Sequence, residues 1–165
     1  SQREIAEQLN IKPQGLTKLL NKKNFGFEDA QKVLSAMGYD LIIDLHRDGV
    51  AESTHLVTEQ NGKKMAQIMF FNGLSRTTAT GDIAYLKNPY IADNLAFSFQ
   101  MQLAAAEYYP DFTRRIYLKG YRYNMHFCPK SLLVEVGAQT NTYEEAENAM
   151  EPLADILAKV LKSDD

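Results

Sequence analysis

The hydrophobic period of this chain changes at Gly38. Before it, apolar residues recur at helical spacing: Ile5, Ala6 and Leu9, then Leu16, Leu19 and Leu20, then Ala30, Val33, Leu34 and Met37. After it, "DLIIDL" (40–45) is a near-continuous apolar run of the kind found in strands. One pattern places side chains along a helical stripe and the other along a pleated ribbon, so a single element does not serve both. The chain is expected to open with a small all-α segment and to continue as strands alternating with helices, giving an α/β mixed sheet with covering helices.

Local signals sharpen this outline. Ser1 followed by Glu4 has the form of a capping box. Asn10 suits the left-handed residue that ends a helix, and Pro13 suits the first turn of the next. A third helix is predicted from Phe27 to Met37, stopped by Gly38. "DLIIDL" is expected to be a parallel strand covered on both faces. Residues 54–73, "THLVTEQNGKKMAQIMFFNG", predict two strands joined at Asn61-Gly62. Residues 73–90 are expected to form a loop, and 91–109 a long helix ending before Pro110. "RRIYLKGYRYN" (114–124) reads as a short strand and loop, and "SLLVEVG" (131–137) as a buried strand. Residues 142–161 predict one final amphipathic helix, acidic at its start and carrying Lys159 and Lys162 near its end, as the helix dipole prefers. "LIIDL", "AQIMFF" and "LLVEV" are expected to be neighbouring core strands.

Composition narrows the functional classes. Apolar content of 45% and charged content of 24% are those of a globular protein. A net charge of −3 argues against a chain devoted wholly to nucleic acid. The single cysteine, Cys128, excludes an intrachain disulfide and a four-cysteine zinc site. No membrane-spanning run and no signal peptide is visible, and any targeting sequence is expected outside these residues. "IIDLHRDGV" (42–50) carries the chemistry that stands out. An apolar run delivers Asp44, His46, Arg47 and Asp48 toward its C-terminal end, where α/β enzymes place their sites. Asp48 is expected to cap the strand or orient Arg47. His55 and His126 read as structural or exposed.

Residues 2–20, "QREIAEQLNIKPQGLTKLL", resemble the helix-turn-helix of lambda-repressor-like DNA-binding domains, and the resemblance covers about residues 1–38. The resemblance places Ala6 at the helix crossing, Asn10 at the turn, and Ile11, Leu16 and Leu19 in a small shared core. It implies that Lys12, Gln14, Thr17, Lys18 and Lys22 face DNA, by phosphate contact or base edge. The helix that opens such domains would precede Ser1. Basic side chains (Arg3, Lys12, Lys18, Lys22, Lys23, Lys32) only modestly outnumber acidic ones (Glu4, Glu7, Glu28, Asp29), so weak, salt-sensitive DNA binding or none is expected.

From Ile43 to about Leu161 the chain resembles the stage II sporulation protein P family, zinc-dependent N-acetylmuramoyl-L-alanine amidases that cut cell-wall peptidoglycan. The residues that carry this are "IDLHRD" (43–48), "NLAF" (94–97), "YPDFTRRI" (109–116), "RYN" (122–124) and "LLVEVGAQTNTYEEA" (132–146). The resemblance implies a zinc held by two histidines and a glutamate, with a position open to water. His46 matches the last metal ligand and Glu135 the catalytic glutamate. Arg47, Tyr123 and Asn124 become candidates for the substrate groove. The family's other ligands come from a His-Thr-His…Glu type motif that would precede residue 43. No histidine stands before His46.

Together these readings give two expected domains. Residues 1–40 form a helix-turn-helix-like segment lacking its first helix, and residues 41–165 an amidase-like catalytic domain lacking its first strand and ligands. A fusion joint is expected within 39–45. The expected function is sporulation-type peptidoglycan amide hydrolysis, impaired by missing zinc ligands, with peptidoglycan and other sporulation cell-wall proteins as partners at the cell envelope. The alternative is a helix-turn-helix transcriptional regulator. A chain that folds with neither activity is a third reading.

Overall fold

The computed structural model describes residues 1–24, 29, 32, 33, 36 and 41–162. The chain divides into two compact units, Ser1–Ile42 and Ile43–Asp165.

In the first unit, helix α1 (Gln2–Gln8) begins at a complete capping box: the Ser1 hydroxyl accepts from Glu4 N–H and the Glu4 carboxylate reaches back to the Ser1 amino group. Asn10 ends the turn in the left-handed region at φ 53°, as its short polar side chain allows. Helix α2 (Pro13–Leu20) follows with Pro13 in its first turn. Ala6 and Leu16 are fully buried and form a small cluster with Val33, against which Ile5, Leu9 and Leu19 pack. Asp29, Lys32, Val33 and Ala36 are helical. The rest of the predicted third helix, including Ala30, Leu34, Met37 and the Gly38 stop, lies outside the described residues, as do residues 39 and 40 of the expected joint.

The second unit is built on a mixed sheet. Its strands in chain order are β1 (Leu41–Asp48), β2 (Val57–Gln60), β3 (Lys63–Ala66), β4 (Ile68–Gly73), β5 (Arg76–Thr77) and β6 (Gly81–Asp82). Helix α3 (Ile91–Tyr108) comes next, then β7 (Tyr117–Lys119), β8 (Lys130–Ala138), α4 (Tyr143–Asn148) and α5 (Met150–Lys162). The main sheet has the order β1-β8-β4-β7, with β8 antiparallel and β7 parallel to β4. The three expected core segments are thus side by side. Helix α3 packs on β4 and β8 and also meets α5. Asn72 on β4 and Ser98 on α3, both buried, are hydrogen-bonded at 2.9 Å, which fixes the helix to that face. Ile68, Phe70, Met101, Phe112, Leu132, Val134 and Ile156 form the fully buried interior.

Several expectations are corrected. β1 is an edge strand, not one covered on both faces, and Leu45 is 53% exposed. The Asn61-Gly62 hairpin forms with positive φ at both turn residues, joining β2 to β3. Its second arm breaks at Gln67, whose N–H goes to Leu56 O while its carbonyl accepts from Gly137 N–H. β3 stays in the hairpin and β4 enters the main sheet. The loop from 73 onward contains the small β5–β6 ladder. The predicted helix over 142–161 is two helices meeting at Ala149. Pro152 has no N–H to give to Asn148 O, so the helical ladder is interrupted one turn before it, and the proline sits in the first turn of α5. Among the described residues no helix is long and apolar enough to cross a membrane.

Candidate functional site

β8 alternates its side chains, so Leu133 and Glu135 share one face while Leu132, Val134 and Val136 share the other. Glu135 stands opposite Met69, and Leu133 opposite Phe71. Met69, Phe71, Met125 and Leu133 make an apolar cluster on this side. The carboxyl of Glu135 therefore sits at the end of a greasy surface, and its Oε2 is buried with no hydrogen-bond partner. Burial pushes its pKa up, Asp48 and Asp44 push it further, and His46 and Arg114 oppose the rise. The net direction is upward, the shift needed to turn an acid into a proton carrier near neutral pH.

The neighbouring strand supplies the other polar groups. Asp44, His46 and Asp48 are spaced by two along β1 and so share one face, and all three act on the Glu135 carboxyl. His46 Nε2 lies 2.9 Å from Asp44 Oδ1. The other oxygen of Asp44 accepts from Asn124 Nδ2 at 2.9 Å. Asp48 caps the strand end, its Oδ1 accepting from Gly49 N–H at 2.8 Å, and its Oδ2 pairs with Arg114 Nη1 at 2.9 Å rather than orienting Arg47. Arg114 Nε and Nη2 are buried without partners. Arg47 turns the opposite way. Its guanidinium donates to the carbonyls of Ala138 and Asn141, holding the turn that follows β8. His46 also borders a groove of about 590 Å³ lined by Leu45, Val136, Tyr143 and Met150 among others, and Glu135 is not part of that lining.

A turn crosses over the sheet to close one side of the polar face. It passes the end of β4 because Gly73 has no side chain: a Cβ there would strike the backbone of Tyr121 and Arg122. Tyr123 adopts φ 47° and places its ring edge-on to Phe71, centroids 4.6 Å apart. Asn124 then reaches Asp44. Tyr123 and Asn124 are thereby brought to the same side as Glu135. His55 lies before β2 rather than within a strand, with Nε2 2.8 Å from Glu145 Oε2. Glu145 is almost fully buried, and burial pushes its carboxyl up. Hydrogen bonds from His55, Asn141 and the Thr142 backbone outweigh this and hold it below the usual range. His126 stacks on Phe127 at 3.9 Å between centroids.

On α2 and its flanks, Lys12, Gln14, Thr17, Lys18 and Lys22 are all exposed. The Thr17 hydroxyl donates to Pro13 O, and Lys22 pairs with Asp29 at 2.8 Å.

His46 brings one imidazole to the polar face. Asp44 is shared between His46 and Asn124, and Asp48 is held by Arg114. Among the described residues no three His, Cys, Asp or Glu side chains gather as a metal-holding group. These residues by themselves do not fit the three-ligand set of a catalytic zinc. Asp44 stood in the polar cluster of "IIDLHRDGV" and Arg114 in "YPDFTRRI", but sequence reasoning gave neither a role of its own. Asp44 had a usable signal, two residues from His46 in a strand. The pairing of Arg114 with Asp48 had none, since 66 residues separate the two.

No curated relative and no solved structure matches the chain. A family model does match, that of stage II sporulation protein P, over residues 28–158. This span contains β1 through most of α5, with His46, Glu135 and the Tyr123–Asn124 turn, and leaves α1 and α2 outside. The chain belongs to the stage II sporulation protein P family.

Proposed function

We propose that this chain acts on the cell wall during sporulation, on the amide between N-acetylmuramic acid and L-alanine, with Glu135 as the proton-transfer residue. The observation that carries the reading is the position of the half-buried Glu135 carboxyl, at the end of the apolar cluster and facing Asp44, His46 and Asp48 of β1, surroundings that push its pKa up. In this role the carboxylate takes a proton from water as the water attacks the amide carbonyl. It then gives that proton to the departing amine. Burial serves both halves of the cycle, because an ordinary carboxylate is too weak a base to take the proton readily. Asp44 orients the His46 ring, and Asn124 orients Asp44. Asp48 and Arg114 hold each other beside Glu135.

Zinc is the cofactor that the family resemblance implies, and His46 is its proposed ligand. The remaining ligands are not proposed among the described residues, since the polar face offers no complete set. Without a held metal the attacking water keeps its high pKa, so this sequence alone is proposed to turn over slowly. Metal analysis of the purified protein, with release of stem peptides from peptidoglycan, is the test. The expected result is substoichiometric zinc and weak release. Turnover should rise when a segment bearing the two further ligands is supplied beside β1. Stoichiometric zinc with turnover unaffected by His46→Ala would overturn the assignment.

A further inference from the structure

On the face that carries Glu135, the sheet continues to its far edge in aromatic residues. Phe71 on β4 stands opposite Tyr117 on β7, and Gly73 opposite Lys119. Tyr117 and Lys119 therefore share the face of Met69, Phe71 and Glu135, while Leu118 turns the other way. The Tyr117 ring lies 5.4 Å from Phe71 at 53°, and Tyr123 lies 4.6 Å from Phe71 at 71°. Lys119 Nζ sits over the Tyr117 ring, 5.4 Å from its centroid. Phe71 is 7% exposed, yet Tyr117 remains 42% and Tyr123 39% exposed. Two tyrosines flank one buried ring and keep much of their own surface in water, with an ammonium at the rim.

We propose that Tyr117 and Tyr123, with Lys119 at their edge, form a stacking shelf for the amino-sugar rings of a glycan strand. A pyranose ring presents C–H bonds on its faces and hydroxyl or amide groups around its rim. An aromatic surface accepts the former, and the phenol hydroxyls and the ammonium bind the latter. Strands in a sheet lie about 5 Å apart, so the shelf stands about 10 Å to the side of Glu135, across two strand steps. A short stretch of glycan spans that distance, with the amide to be cut at Glu135 and neighbouring sugars on the shelf. The turn through Tyr123 and Asn124 links the two regions, since Tyr123 stands on Phe71 and Asn124 holds Asp44. The shelf assigns recognition to the sugar backbone rather than to the stem peptide.

This inference rests on the cell-wall reading above, and its test is a binding measurement that needs no turnover. The full chain carrying Glu135→Gln is titrated by calorimetry with glycan strands stripped of stem peptides, and separately with free stem peptide. Glycan strands are expected to bind. Tyr117→Leu should weaken them by about three- to tenfold, whereas Tyr117→Phe keeps the stacking face and most of the affinity. Should Tyr117→Leu unfold, Lys119→Met serves instead. That side chain is exposed at the edge of the sheet, and its loss should still weaken glycan binding. Unchanged affinity in Tyr117→Leu or Lys119→Met, or binding to free stem peptide alone, would overturn the shelf. Glycan binding that depends on Tyr117, in a protein whose parent cleaves no amide, would uphold the shelf and count against the amidase reading.

Discussion

Glu135 faces Met69 across the β4–β8 ladder, with Leu133 and Phe71 next along the same surface. Its environment favours the protonated acid, so ionisation at neutral pH costs the fold stability. The sign follows from linkage: a carboxyl whose pKa is raised on folding stabilises only while both states hold the proton, and the contribution fades as pH rises. Glu135→Gln is therefore expected to melt higher than the parent at pH 7. The gain should vanish below the usual carboxylate range, as thermal melts across that window will report. The same substitution should cut amide hydrolysis by about 10²- to 10⁴-fold, the usual worth of a positioned acid–base group. A variant both more stable and less active is the signature of a strained functional carboxylate. Glu145 carries the opposite sign. Its partners hold the ionised form, so the stability it contributes is present at neutral pH and is lost as pH falls through its lowered pKa. Glu145→Gln should cost about 1–3 kcal/mol at pH 7 by urea unfolding, and much less in acid.

The elements explain how separate side chains come to share one face. β8 brings Glu135, β1 brings Asp44, His46 and Asp48, and the Tyr123–Asn124 turn is laid across β4 by the bare backbone of Gly73. Gly73→Ala should push this turn away and destabilise the protein by about 1–3 kcal/mol, as overpacking does. Loss of the Asn124 to Asp44 hydrogen bond, read from the Asn124 side-chain amide resonances, is the local check. Much of this level was legible in the sequence. Asn61-Gly62 is a local signal and gave its hairpin; Ser1 with Glu4 gave its cap; "LLVEV" is apolar enough to be a strand in any context. What failed was non-local. The break at Gln67 depends on hydrogen bonds to Leu56 and Gly137, which periodicity does not register. The edge position of β1 depends on which strands pair, and its apolar run alone suggested a covered one. Pro152 was in plain view, but the amphipathic period continues across it and concealed the division of the last helix. At the site, His46 and Glu135 were legible through their motifs, whereas Arg114 became relevant only once folding set it against Asp48.

At the scale of the molecule, the sheet unit has an interior of its own. Ile68, Phe70, Phe97, Met101, Phe112, Leu132, Val134 and Ile156 all belong to residues after Ile43. A protein consisting of residues 41–165 is expected to unfold in a single cooperative step with native near-ultraviolet circular dichroism; a broad, non-cooperative melt would show that the N-terminal residues are needed. The family match to 28–158 ties this unit to sporulation, and its polar face is where cell-wall chemistry is proposed. The most direct measurement is the appearance of new L-alanine amino termini in purified peptidoglycan incubated with the zinc-supplemented protein, alongside His46→Ala and Glu135→Gln. The expected result is slow release by the parent, raised when the two further ligands are supplied and abolished by either substitution. Release that is fast in the parent and indifferent to both His46 and Glu135 would contradict it.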